Sequence, residues 1–196
     1  MNGFAPDLVV LTGDYLTHYH LIHRQTSPAL LTEQLGGFGA PTVAVLGNHD
    51  HYVDAAGAAS ALEGLGYCVL RNQSTMLTLR GAPFTVVGID DLSTRHADPA
   101  RALRGTAPGS RLVLAHDPVT ADWLRYLHQP HLILSGHTHG GQLNFPPFSA
   151  MHKYRAGLYR LDQVVLYVSR GLGNSWFPIR VAAPPEVTLF TLRAPA

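Results

Sequence analysis

Four stretches of the chain share one layout: a short unbroken run of aliphatic residues that stops at a turn and then a polar group. Leu8-Val9-Val10-Leu11 leads to Gly13-Asp14, and Val43-Ala44-Val45-Leu46 leads to Gly47-Asn48-His49-Asp50. Leu112-Val113-Leu114-Ala115 leads to His116-Asp117, and Leu132-Ile133-Leu134 to Gly136-His137-Thr138-His139. Runs without polar alternation suit strands buried on both faces. Residues 84–89, 164–169 and 187–192, and the setting Tyr67-Cys68-Val69-Leu70, read as further strands. Helices are expected between them. Residues 27–38 open on Ser27-Pro28, a cap followed by proline at the first helical position. Residues 54–65 are alanine-rich behind Asp54, and residues 117–128 start Asp-Pro and carry Trp123, Leu124 and Leu127 on one face. Strands alternating with helices predict an α/β domain. The strand-rich later part argues against a purely parallel sheet. Pro146-Pro147 and Pro184-Pro185 mark loops. With no repeat and no internal boundary, residues 1–196 read as a single domain.

Composition narrows the class. Of the 196 residues, 46% are hydrophobic and 14% charged, which places the chain among core-forming rather than disordered sequences. The net charge of +1 gives no basic face, so no nucleic-acid partner is expected. Cys68 is the lone cysteine; it cannot form an internal disulfide and reads as an inert thiol in a strand. No apolar run reaches membrane-span length and the start is not a signal peptide. Any peripheral membrane contact is therefore expected through a segment outside this sequence. Twelve histidines are the outlier, and histidine is both a metal ligand and a proton carrier near neutral pH.

In open α/β sheets, sites form just beyond the carboxyl ends of strands. The four runs bring Asp14, Asn48, His116, His137 and His139 there. Glycine precedes three of these groups and lets the backbone turn sharply and approach an ion closely. Imidazole mixed with carboxylate suits manganese, iron or zinc better than calcium. A carboxylate such as Asp14 can bridge two cations, and two ions about 3.5–4 Å apart clamp the attacking and leaving oxygens of a phosphoryl displacement.

Gly13-Asp14, Gly47-Asn48-His49-Asp50, His116 and Gly136-His137-Thr138-His139, in that order, resemble the signature of the calcineurin-like metallophosphoesterases, from about Asp7 to about Arg180. Gly140-Gly141-Gln142 and Ser169-Arg170-Gly171-Leu172-Gly173 resemble its bacterial branch of membrane-associated phosphohydrolases and phosphodiesterases. The resemblance implies a four-layer αββα sandwich with two mixed sheets, and hydrolysis of a phosphomonoester or phosphodiester by metal-activated water. It implies two divalent ions, manganese first, with iron or zinc as alternatives. Asp14 would bridge them; Asn48, His116 and His137 would hold the second ion, and His139 would belong to the first. His49 would face the phosphate and stabilise charge or protonate the leaving oxygen. Asp50 would orient His49, and Arg170 would contact phosphate or shape the rim. The implied partner is a small phosphorylated substrate, lipid-linked ones included, and the implied location is the cytoplasm or the cytosolic face of a membrane.

The family pattern opens with an Asp-x-His pair at the end of a first strand, and none of the thirteen residues before Asp14 is histidine. The expectation is an N-terminally incomplete domain missing its first strand, with a bare sheet edge. A protein working with one tight ion, and a catalytically impaired scaffold on the same fold, are the alternatives. A metal-dependent amide or ester hydrolase is a third, although Gly-Asn-His-Asp has no role in that chemistry. Other histidines carry blander expectations: a solvated loop for His18, His20 and His23, and surface or ordinary packing for His96, His128, His131 and His152. His51 and Tyr52 are expected to line the pocket. Trp176-Phe177-Pro178 reads as core packing or an apolar wall.

Overall fold

The computed structural model describes residues 2–19, 24–107, 109, 111–127, 131–143, 152–174 and 179–193. Strands β1 (Val9–Leu11), β4 (Thr42–Ala44) and β5 (Cys68–Val69) form one sheet in the order β1-β4-β5, parallel throughout. A six-stranded sheet contains β6 (Gln73–Leu79), β7 (Ala82–Ile89), β8 (Arg111–Ala115), β9 (His131–Ser135), β10 (Gly157–Leu161) and β11 (Val164–Val168). Its order is β10-β11-β9-β8-β7-β6, parallel at the centre with an antiparallel hairpin at each edge. A two-stranded ribbon, β2 (His18–Tyr19) with β3 (Arg24–Gln25), stands apart. The chain is thus α/β with two sheets. The larger is mixed as expected; the smaller, expected to be mixed, is all parallel among the described residues.

Side-chain alternation sets the layering. Val43 and Val45 join Leu112 and Leu114 in a core between the two sheets. Their neighbours Ala44 and Leu46 turn the other way, onto Leu31 of α1 (Pro28–Leu35) and Ala58 and Leu62 of α3 (Ala55–Gly64). Val113 and Ala115 likewise turn onto Ala102 of α4 (Pro99–Leu103) and onto Ala121 and Leu124 of α5 (Thr120–Leu124). Both faces of each central strand are therefore buried, which is why the runs read as continuous rather than alternating. Each fully buried valine or leucine contributes about 2 kcal/mol of apolar burial.

Three expectations need correction. Residues 187–192 lie in no strand; Val187, Leu189 and Leu192 are exposed, and Phe190 packs edge-on to Tyr167. Residues 117–119 form a turn, with the Val119 amide donating to the Asp117 side chain, so the helix starts only at Thr120. A short 3-10 turn over Arg125–Leu127 follows it. Leu124 and Ala121 face the sheet, three residues apart, while Trp123 and Leu127 are exposed. The edge strands β6 and β10 were not anticipated from the sequence. Each exposes every second residue or more and so lacks an apolar run.

No helix among the described residues is long and apolar enough to cross a membrane.

Candidate metal centre

The site lies where loops from both sheets meet. The loop after β1 supplies Asp14, and α2 (Asn48–Val53), which begins after the β4 strand, supplies Asn48. His116 follows β8 and His137 follows β9. Close approach depends on two glycines. Gly13 has φ +98°, and a Cβ there would lie 2.6 Å from the Gly47 nitrogen. A Cβ on Gly47 would collide with Asp14 Oδ1. Asp14, His137 and His139 adopt φ of 61°, 69° and 52°. These left-handed conformations are unfavourable for side-chain-bearing residues and persist where the surroundings impose them, commonly at functional sites.

Four acceptor atoms converge. His116 Nδ1 lies 2.7 Å from the Thr12 carbonyl oxygen, which fixes that nitrogen as the N–H donor. The other nitrogen, Nε2, lies 3.1 Å from Asp14 Oδ2 and 3.2 Å from both Asn48 Oδ1 and His137 Nδ1. His137 Nδ1 is 2.8 Å from Asn48 Oδ1. Asp14, His116 and His137 offer ligand atoms all within 4.8 Å of one another. Asp14 Oδ2 is buried, with His116 Nε2 as its polar neighbour. Lone pairs packed this closely repel unless a cation, or a proton, lies between them. Without an ion the proton does this. Burial opposes a charge on His116, but Asp14 and the Thr12 carbonyl lift its pKa to about 9. Burial would raise Asp14, yet His116 and His49 hold it down at about 2. His137 falls to about 4, from burial first and the charge on His116 second. Two imidazoles, a carboxylate and an amide oxygen form a donor set that fits a borderline divalent ion.

The remaining expected residues are placed as follows. His139 lines the same cavity as Asp14 and His137 but stands outside that tight group, with Nδ1 3.1 Å from the Gly173 carbonyl; burial lowers its pKa. His49 is half-buried, donates its backbone N–H to Asp14 Oδ1 at 2.9 Å and sets its ring edge-on to the exposed Tyr52. Asp50, expected to orient His49, spends both oxygens on the backbone. It accepts the amides of Asp14, Tyr15, Leu16 and Gly47 at 2.8–2.9 Å, tying the β1 loop to the start of α2. Burial pushes its carboxyl up to about 6, against the pull of those amides. Arg170 lines the cavity with its guanidinium paired to Glu186. His51 turns away from the cluster and meets Asp90 at 2.7 Å.

Two participants escaped sequence reasoning. His152 packs edge-on against His137, 6.0 Å between centroids, and no motif surrounds it. Thr12 acts through its carbonyl, which leaves no side-chain signal. His20, His23, His128 and Trp176-Phe177-Pro178 lie outside the described residues.

Comparison with known proteins agrees with this geometry. The calcineurin-like phosphoesterase family matches residues 2–141. The uncharacterized metallophosphoesterase YkuE of Bacillus subtilis is 33% identical over 99% of this chain and 70% of its own length. The phosphodiesterase YaeI of Escherichia coli is 35% identical over 95% of this chain and 70% of its own. A zebrafish (Danio rerio) transmembrane protein with metallophosphoesterase domain is 33% identical over 98% of this chain and 47% of its own. No solved structure matches. Loops of two sheets converging on an ion-sized gap, and a family match that spans all four of those loops, lead to one conclusion: this chain belongs to the calcineurin-like phosphoesterase family.

Proposed function

We propose that this chain hydrolyses a phosphomonoester or phosphodiester with the help of divalent ions, manganese first among them. The observation that carries the reading is the convergence of Asp14 Oδ2, Asn48 Oδ1, His116 Nε2 and His137 Nδ1 on one gap. The name phosphodiesterase borne by the relative YaeI supports the same reaction class. Those four residues would hold one ion; Asp14, shared with His139, would serve a second. Ions so held supply Lewis-acid polarisation of a phosphoryl oxygen and lower the pKa of bound water.

The chain's own residues do the rest. Asp50 fixes the backbone on both sides of the gap, so Asp14 and Asn48 are in position before substrate arrives. The His116 tautomer is set by Thr12, which keeps Nε2 turned inward. His49 stands beside the gap rather than in it, and in this reading it donates a proton to the leaving oxygen.

The architecture in this reading is a four-layer αββα sandwich, with α1 and α3 covering the smaller sheet and α4 and α5 the larger. A largely apolar cavity of about 770 Å³ runs along the edge of β1 that is unpaired among the described residues, bounded by Leu8, Val10, Leu132, Tyr167 and Leu189 and closed at one end by Asp14 and His139.

The test is turnover of bis(p-nitrophenyl) phosphate, p-nitrophenyl phosphate and p-nitrophenyl acetate with added manganese. Phosphoester release that falls at least a hundredfold in His49→Ala, with metal content unchanged, supports the reading (general acids contribute roughly 10²–10⁴-fold). Release of nitrophenol from the acetate alone would replace it with carboxylic-ester chemistry. Metal binding without turnover of any ester would leave a scaffold.

A further inference from the structure

A second cavity, of about 390 Å³, is lined by Arg71, Asn72, Gln73, Asp90, His96 and Arg101. It adjoins the metal centre. Asp90 follows Ile89, which pairs with Ala115 across β7 and β8, so Asp90 and His116 end neighbouring strands about 4.8 Å apart. His51, which contacts Asp90, lies three residues beyond Asn48 on α2, within one helical turn of it.

The cavity is built rather than incidental. Asn72, at φ +54°, accepts the amides of Asp90 and Asp98 on its Oδ1 and donates its Nδ2 to the His96 carbonyl at 2.7 Å. The His96 ring stacks on that of His51, 4.1 Å between centroids. Asp90 is buried and fully engaged: His51 and the Asp91 amide meet Oδ1, and Arg71 donates Nε to Oδ2 at 3.2 Å. That bond orients Arg71 while leaving its terminal nitrogens with no acceptor among the described residues. Asp98, the other nearby carboxylate, caps α4 by accepting the Arg101 backbone amide at 2.9 Å. The Arg101 guanidinium makes no ion pair among the described residues. Arg71 and Arg101 thus line one recess, with His96 and Asn72 beside them. Guanidinium forks match phosphate oxygens in pairs.

We infer that this recess binds a second phosphate group of the substrate, one carried beyond the ester that is cleaved. The inference rests on the phosphoesterase reading above and names a substrate class for it: phosphoesters bearing another phosphate about a sugar's length away. Asp90 and the ring stack hold the recess, and Arg71 and Arg101 confer the preference.

Two measurements decide it. The first is calorimetric titration of inorganic phosphate into chelator-treated protein, wild type against Arg101→Gln and Arg71→Gln, with a melting curve for each. Loss of a charged hydrogen bond corresponds to roughly tenfold weaker binding. The second compares two nitrophenyl esters of thymidine 5′-phosphate, one with and one without a 3′-phosphate. Arg101→Gln is expected to raise KM about tenfold for the 3′-phosphorylated ester alone, with kcat unchanged for both. Unchanged phosphate affinity in both variants overturns the recess as an anion site. Lost phosphate affinity with equal KM effects on the two esters shows capture of free phosphate only, and overturns the substrate assignment. If wild type turns over neither ester, the phosphoesterase reading and the substrate assignment fall together, while the phosphate titration still judges the recess.

Discussion

His116 carries the tightest constraint in the site. Its Nδ1 is committed to the Thr12 carbonyl and its Nε2 faces a carboxylate, so without an ion it holds a proton up to about pH 9. An ion must displace that proton. Metal affinity is therefore expected to rise with pH across the neutral range and level off near pH 9, with about one proton released per ion at pH 7. Calorimetry in buffers of differing ionisation enthalpy reads the proton count; a count of zero would contradict the assignment. Asp50→Ala removes the acceptor of four backbone amides, and a loss of at least about 4 kcal/mol in urea unfolding is expected, since each buried unsatisfied donor costs about 1–3 kcal/mol. His131, 3% exposed with neither ring nitrogen hydrogen-bonded among the described residues, has its pKa lowered by burial and then by Arg111. The unfolded chain takes up that proton below about pH 6.5 while the folded chain resists it. His131 thus contributes a loss of stability as pH falls below about 6.5, and His131→Leu should flatten that part of the stability–pH curve. At this scale motif order pointed to Asp14, His116 and His137, whose ligand atoms the fold brings within 4.8 Å of one another. It could not reveal that Asp50 would serve backbone amides, or that His152 would meet His137, because both depend on which loops come together.

Elements built from buried strands were readable because burial on both faces removes polar residues altogether. The runs at β1, β4, β8 and β9 all became strands, each ending within a few residues of a metal-site side chain. Edge strands β6 and β10 were not readable, since half of their residues face solvent. Helix α5 bears out only part of its expected face: Asp117 holds a turn, the helix begins late, and of Trp123, Leu124 and Leu127 it is Leu124 that meets the sheet. Leu124→Ala is accordingly expected to cost about 3 kcal/mol, whereas Trp123→Ala should change stability by less than about 0.5 kcal/mol. Equal losses in denaturant melts would restore the original face.

Across the whole molecule, the candidate metal centre draws on both sheets, which also share the core of Val43, Val45, Leu112 and Leu114. Asp14 and Asn48 belong to the smaller sheet's loops, and His116 and His137 to the larger sheet's. An ion held by all four stabilises the fold by mass action, about 2.7 kcal/mol at a hundredfold excess over Kd. Chelation should therefore lower the melting temperature of the wild type by several degrees and leave His137→Ala nearly unchanged. The two-sheet plan came from the family resemblance, since the pattern of runs supports only an α/β chain, whereas the cavity beside β1 emerges only in three dimensions. The central claim is that four side chains surround one ion, and anomalous diffraction from crystals grown with manganese tests it most directly. The account predicts a peak within bonding distance of Asp14, Asn48, His116 and His137 together; a manganese peak elsewhere, with those four side chains unliganded, would contradict it.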